Sequence, residues 1–276
     1  HVLVIHLDRE DKRNAIDSHM TSALDAALNE ADDDPGVRCI VLAGCERAFS
    51  AGTDLADGAG TPTERGGPYG VIRRTRRTPL IAAVEGIAYG GGFEVVLACD
   101  MVVAHKAARF GLPEVARGVI PTCGGLFRGW HSLPVTVAKQ MVLTGRPLSA
   151  QRAYELGIVN ALADDGEVLA TALDLAAQVS ENSPLSVAES LTVMNDVLGL
   201  PEELGWSRTE EATTTVKSSE DYREGVNAFL EKRSPQWRGT TSTVRPASRS
   251  HAHHSAHQQT RQQSPEGPAH SPDRDA

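Results

Sequence analysis

EGIAYGGGFEVVLACD, residues 85–100, runs from an apolar strand-like stretch into a helix-like one through Gly90, Gly91 and Gly92. Glycines at such a junction let the backbone turn with no side chain in the way. The helix opening behind them would present unpaired N–H groups and the positive end of its dipole, a setting that favours an anion or a developing oxyanion. Taken alone, a glycine-rich turn is also ordinary turn chemistry. Glu94 sharpens the reading, because it falls in the first helical turn among Phe93, Val95, Val96 and Leu97. A carboxyl in such apolar company needs a reason to be there.

Working outward, LIAAVEGIA at residues 80–88 reads as one strand and MVVAH at 101–105 as the next. VLVIHL at 2–7 and CIVLAG at 39–44 are further strand candidates, and residues 16–31 have helical spacing behind an Asp17/Ser18 start signal. Residues 51–70, rich in Gly, Pro, Thr and Asp, hold too few apolar side chains to be core. Beyond about residue 134 the strand signals stop. Residues 134–143, 149–156, 167–179, 184–198, 202–216 and 221–232 then read as consecutive helices. Alternating strands and helices predict an α/β fold with parallel pairing. The helical last third reads as a distinct layer that packs against neighbouring subunits. Because His1 opens inside a strand-like run, a preceding strand is expected to be missing.

The composition has a break. Of 276 residues, 40% are hydrophobic, 4% aromatic, and the formal net charge is −9. Residues 239–276 hold one Val and five Ala as their only apolar side chains, so they cannot bury enough surface to offset the entropy of ordering and read as a disordered tail. The preceding 238 residues carry a charge of −10, which argues against a general nucleic-acid surface. No run of about 18 apolar residues suggests a membrane span, and no signal peptide is visible. Cys39, Cys45, Cys99 and Cys123 stand singly, with no CxxC pair; a disulfide scaffold and a cysteine zinc site are unsupported, and a reducing, cytoplasmic setting fits. No GxSxG, P-loop, HExxH or GxGxxG signature occurs. His251, His253 and His254 lie in the low-complexity tail, without a fold to make them a metal site.

Two other stretches bear on chemistry. AFSAGTDLAD, residues 48–57, places a glycine just after an apolar strand. In FGLPEVARGVIP, residues 110–121, Glu114 follows Pro113 and lies 20 residues beyond Glu94. Pro followed by Glu is also a common helix beginning. Arg73, Arg74, Arg76 and Arg77 read first as a solvated helix face and second as a phosphate contact. Cys123 could line a pocket or merely pack; no neighbouring His marks it as a nucleophile.

The ordered series KRNAI, FSAGTDL, GGGFE, FGLPE, GVIP with CGG, LTGRPLSAQRAYELGIVN and SSEDYREGVNAFLEKRSPQW resembles the enoyl-CoA hydratase/isomerase, or crotonase, superfamily across residues 2–238. The resemblance implies a spiral of repeated ββα units over residues 1–183, a helical trimerisation layer at 184–238, and the tail at 239–276. It implies an acyl-CoA thioester as substrate, no metal or redox cofactor, and a homotrimer or dimer of trimers. Backbone N–H groups of Thr53 and Gly91 would form an oxyanion hole. Glu94 and Glu114 match the acids that hold a water in the hydratases, and the pair tilts the reaction toward adding water to a 2-enoyl-CoA. Lys12, Arg13, Ala15, Ala51, Asp54, Leu55, Phe229 and Lys232 match positions that line the coenzyme A pocket. The resemblance also leaves open a double-bond isomerase or a carnitinyl-CoA dehydratase-like enzyme. An RNA-associated binding protein of the same fold is a further alternative, against which the acidity counts.

Overall fold

The computed structural model describes residues 1–199 and 202–236, which fall within one compact unit, His1–Thr243. The tail expected at 239–276, with His251, His253 and His254, lies outside the described residues. A five-stranded parallel sheet runs in the order β1 (Val2–His6), β2 (Cys39–Ala43), β4 (Leu80–Val84), β6 (Met101–His105) and β9 (Ala161–Ala163). Every residue of β2 and β4 is buried, so their uninterrupted apolar runs are what a parallel sheet covered on both faces requires. One face is covered by α1 (Ser18–Asp33), whose start is fixed by Met20 N–H donating to Asp17 Oδ1 at 2.8 Å. The other is covered by α6 (Val168–Ser180), which sets Ala172 and Ala176 against Val41, Ile81 and Val103.

There is also a second, smaller sheet. Its order is β3 (Ala48–Ser50), β5 (Ile87–Tyr89), β7 (Arg109–Gly111) and β8 (Leu148–Ser149), parallel except for the last pair. Each of β2, β4 and β6 is thus followed, after a sharp bend, by a short strand in the second sheet, which is the repeated ββ part of a spiral.

This geometry corrects the reading of residues 80–88 as one strand. The chain breaks at Glu85 and Gly86, where φ is +59°, and a side chain at Gly86 would collide with the Arg47 backbone. The strand signal fails because both halves are apolar and in the same register. Strands also continue past residue 134, as β8 and β9, each too short to announce itself. The helix α3 (Gly125–Ser132) was unforeseen, whereas α4 (Val135–Thr144), α5 (Ala150–Glu155), α7 (Pro184–Gly199), α8 (Glu202–Lys217) and α9 (Glu220–Leu230) lie where helices were expected.

The arginine cluster is corrected too. Arg74 and Arg76 are 8% and 5% exposed. Arg74 donates to Asp25 at 2.5 Å and Asp32 at 2.9 Å, and Arg76 to Asp100 at 2.5 Å and Ala98 O at 2.8 Å. These pairs pin the segment before β4 to α1 and to the end of α2 (Gly91–Leu97). Only Arg73 and Arg77 remain on the surface. Among the described residues no helix is long and apolar enough to cross a membrane.

Candidate active site

The carboxyl ends of β3, β5 and β7 lie side by side, because Ser50 pairs with Ala88 and Tyr89 with Gly111. Three successive loops therefore leave the sheet together, bringing Thr53, then Gly91 with Glu94, then Glu114 to one place. Crevices at the carboxyl ends of parallel strands are where α/β folds bind ligands. Gly90 N–H donates to Gly111 O at 2.9 Å, locking the second loop to the third.

The first loop meets the second at Gly52. Its φ is +94°, and a Cβ there would stand 2.8 Å from Tyr89 O and 2.9 Å from the Gly91 amide nitrogen. Glycine is needed on both counts. The peptides flanking Thr53 are held from outside: Ile16 N–H donates to Gly52 O at 2.8 Å and Asp54 N–H to Ile16 O at 2.9 Å. Ser50 Oγ accepts from Gly52 N–H at 3.1 Å and donates to Asn14 O at 2.7 Å. The N–H groups of Thr53 and of Gly91, at the first position of α2, donate to no group among the described residues. Two fixed amides with free hydrogens, beside one another, can receive an anion or a developing oxyanion.

Glu94 is 2% exposed. Its Oε1 accepts from Cys123 N–H at 2.7 Å and Gly125 N–H at 2.9 Å, so the CGG turn grips the carboxylate with backbone amides. Burial pushes its pKa up to about 7, against the lowering pull of those two amides and of the Arg128 guanidinium. Glu114 opens the 3-10 turn Glu114–Arg117. Its Oε2 is buried with no hydrogen-bond partner among the described residues, and burial, then the charge of Glu94, push its pKa up to about 8. Two neighbouring acids are thus poised near neutrality, the more easily ionised one already held by donors. Such clustering of shifted groups in a cleft makes the two glutamates candidates for an acid–base pair.

Tyr69 was missed by sequence reasoning. It lies in GGPYG, within the stretch whose composition predicts a coreless loop, yet it is only 5% exposed and has a left-handed φ of 55°. Its hydroxyl shares a 2.7 Å hydrogen bond with Thr53 Oγ1. A Cβ at Gly91 would collide with the phenol, so Gly91 is obligatory for room as well as for its amide. Tyr69 also faces the Cys123 thiol. Burial pushes that thiol up to about 12, so Cys123 stays protonated and lines the site as a thiol. The flanking glycines were the available signal, but they speak for a turn and say nothing about where the ring goes.

Of the pocket candidates, Lys12, Arg13, Ala15 and Ala51 come together. Residues 12–16 are zipped to the first loop by Ala51 N–H donating to Arg13 O at 2.9 Å and by the Ile16 bonds. Lys12 and Arg13 are exposed there, and Asn14, buried beneath them, ties Arg9 N–H and Ala48 O. The Asp54 carboxylate is taken up by Arg9 at 2.7 Å, which holds it below the usual carboxylate range; its role in the fold is to brace the loop. Leu55 is exposed next to it. Phe229 and Lys232 sit elsewhere, at the end of α9. The Arg117 guanidinium lies 5.4 Å over the Phe229 ring, so Phe229 joins the turn that carries Glu114.

The profile of the enoyl-CoA hydratase/isomerase family matches residues 1–240. A carnitinyl-CoA dehydratase of Salmonella typhi is 39% identical over 250 residues, spanning 86% of this chain and 95% of its own. Among solved structures, a carnitinyl-CoA hydratase from Mycobacterium avium superposes with a TM-score of 0.81 at 40% identity, covering 87% of this chain and 95% of its own. An enoyl-CoA hydratase from Mycobacterium tuberculosis H37Rv gives a TM-score of 0.69 at 37% identity, covering 87% and 96%.

Proposed function

The chain belongs to the enoyl-CoA hydratase/isomerase family, and from that premise we propose that it adds water across the double bond of a 2-enoyl-CoA to give a 3-hydroxyacyl-CoA, or runs the reverse dehydration. The observation that carries this reading is the pair Glu94 and Glu114, two buried acids with raised pKa values beside two free backbone amides.

The thioester oxygen accepts from the Thr53 and Gly91 N–H groups as the acyl group becomes enolate-like. Donors preset for that charge lower the barrier by about 3 kcal/mol each on the scale measured for oxyanion holes. Glu94, the more readily ionised acid, takes a proton from water as the water oxygen bonds to Cβ. Glu114, protonated at neutral pH, gives its proton to Cα. One proton leaves the water and one arrives at carbon, so the addition balances, and the pair is reset when Glu94 passes its proton on to Glu114. Two glutamates and two amides supply acid, base and electrostatic stabilisation, so this reading calls on no metal ion or redox cofactor. Lys12 and Arg13, exposed beside the first loop, face the phosphates of coenzyme A. The same reading places the enzyme in the cytoplasm and assembles it as a homotrimer or dimer of trimers. Support for assembly comes from α7, where Leu185, Val193 and Met194 are 66%, 60% and 62% exposed.

Crotonyl-CoA, followed by loss of the conjugated thioester absorbance, is the test. Glu94→Gln and Glu114→Gln are each expected to lower kcat by about 10²- to 10⁴-fold, the usual contribution of a positioned acid or base. Full activity in both variants refutes the mechanism. A product of unchanged mass identifies an isomerase; one heavier by a water identifies a hydratase.

A further inference from the structure

The site opens into a cavity of about 830 Å³ that runs from Thr53, Tyr69 and Cys123 out to α8. Among the described residues its wall contains no Val, Leu, Ile, Met or Phe. A long alkyl chain gains its affinity by leaving water for apolar surface, and this wall offers it only as Ala59, Pro62, Pro68, Cys123 and the Tyr69 and Trp206 rings, with no long aliphatic side chain. Hydroxyl-bearing residues are common on it, Thr53, Thr63, Tyr69, Thr122 and Thr209 among them.

One cation on the wall is held in a fixed pose. The Arg73 guanidinium stacks 4.0 Å over the Trp206 ring, and Trp206 is itself wedged edge-on against Phe127 at 4.9 Å. The Arg73 carbon stem packs where Gly67 has no side chain, a Cβ there standing 2.8 Å from Arg73 Cβ. Among the described residues its one acidic partner is Glu210, at 3.4 Å through Nη2, with the two side chains 44% and 73% exposed. An exposed pair of that length is worth little and exchanges readily for a better carboxylate. The remaining guanidinium donors form a planar fork suited to a carboxylate. Lys217, also on the wall, makes no ion pair among the described residues. A quaternary ammonium finds the opposite situation, since the Trp206 ring that would receive it carries Arg73, with Arg128 at 5.7 Å.

Resting on the proposed acyl-CoA chemistry, we infer that the preferred substrate is an enoyl-CoA whose acyl group is short and ends in a carboxylate, and that Arg73 stacked on Trp206 is the residue that selects it. The carboxylate replaces Glu210 on the fork while the thioester oxygen sits in the oxyanion hole.

The test compares glutaconyl-CoA and its chain-extended dicarboxylic homologue with crotonyl-CoA, 2-decenoyl-CoA and crotonobetainyl-CoA, the last carrying a quaternary ammonium. Wild-type kcat/KM is expected to be about tenfold or more higher for a carboxylate-ended substrate than for the uncharged and cationic ones. Arg73→Gln should collapse that ratio, and Arg73→Lys, which keeps the charge without the fork, should restore only part of it. A preference for uncharged or cationic acyl groups, or a ratio unmoved in Arg73→Gln, overturns the inference even when crotonyl-CoA is hydrated well. Binding of the unreactive glutaryl-CoA against butyryl-CoA, by calorimetry, reads the same preference without turnover. Selective glutaryl-CoA binding with no enoyl-CoA turned over would leave the carboxylate pocket standing and refute the hydratase reading instead.

Discussion

At the scale of single residues the two glutamates have opposite settings, and this fixes the sign of two pH dependences. In the proposed mechanism the productive state has Glu94 ionised and Glu114 protonated, so hydration should follow a narrow bell between about pH 7 and about pH 8. Activity falls on the acid side as Glu94 gains its proton and on the alkaline side as Glu114 loses one; a broad plateau from pH 6 to pH 9 would contradict this assignment. Stability follows the same logic. Glu114 has its pKa raised by burial above the unfolded value, so its contribution is full in acid and is lost as pH rises through about 8. Glu114→Gln removes a buried charge with an unpartnered oxygen, and should therefore gain on the wild type with rising pH, by a few kcal/mol near pH 9. Thermal unfolding at pH 5 and pH 9 reads it, and a difference that does not grow with pH refutes it. Tyr69→Phe tests the hydrogen bond to Thr53 Oγ1. Freeing the first loop from that bond should lower kcat about three- to tenfold with KM little changed, the kinetic equivalent of one lost buried hydrogen bond.

At the scale of elements, the bend between paired strands matters most, since each long strand hands its chain to a short one that aims a loop at the site. Gly86 makes the second bend. With φ at +59° and the Arg47 backbone where a Cβ would stand, Gly86→Ala should cost about 3 kcal/mol or more. Gly129→Ala, inside α3 with open space around it, should be neutral or slightly stabilising. Urea midpoints of the two variants compare them directly, and equal midpoints would mean the bend is not where the strain lies. The same bends explain what could be read from sequence. Strands such as Cys39–Ala43 and Leu80–Val84 announce themselves as unbroken apolar runs. Those of the second sheet are three residues or fewer, too short to show a period, and β5 is fused to β4 in the apolar pattern. Glu94 was legible because an acid among valines is anomalous. Glu114 was legible only through the resemblance, since Pro-Glu is a common helix start. Tyr69 and the arginines were not, because nothing local in GGPYG or RRTRR specifies a buried partner. Arg74 and Arg76 meet theirs at Asp25, Asp32 and Asp100, about 24 to 49 positions away.

At the scale of the whole molecule, the last third of the chain is built differently from the rest. α6 buries its alanines on the main sheet, whereas α7 carries Leu185, Val193 and Met194 more than half exposed. α8 and α9 do reach the core: Trp206 packs on Phe127, and Gly225 lies so close under Arg117 that a Cβ would collide with its carbonyl. Apolar side chains exposed on several sides of a helix call for cover, and in the proposed trimer a second copy of this chain supplies it. Replacing Val193 and Met194 together by Glu should then shift the protein to a smaller species in light scattering at matched concentration. Those residues lie on α7, outside the strands and loops that carry Glu94, Glu114, Thr53 and Gly91, so the direct effect is on assembly. Because α8 bears Trp206 and α9 packs on the turn of Glu114, loosening α7 should weaken the acyl cavity before it touches the acid–base pair. KM for enoyl-CoA is therefore expected to rise more than kcat falls. A variant that keeps its wild-type mass in solution, or loses kcat at unchanged KM, would place the covered surface elsewhere.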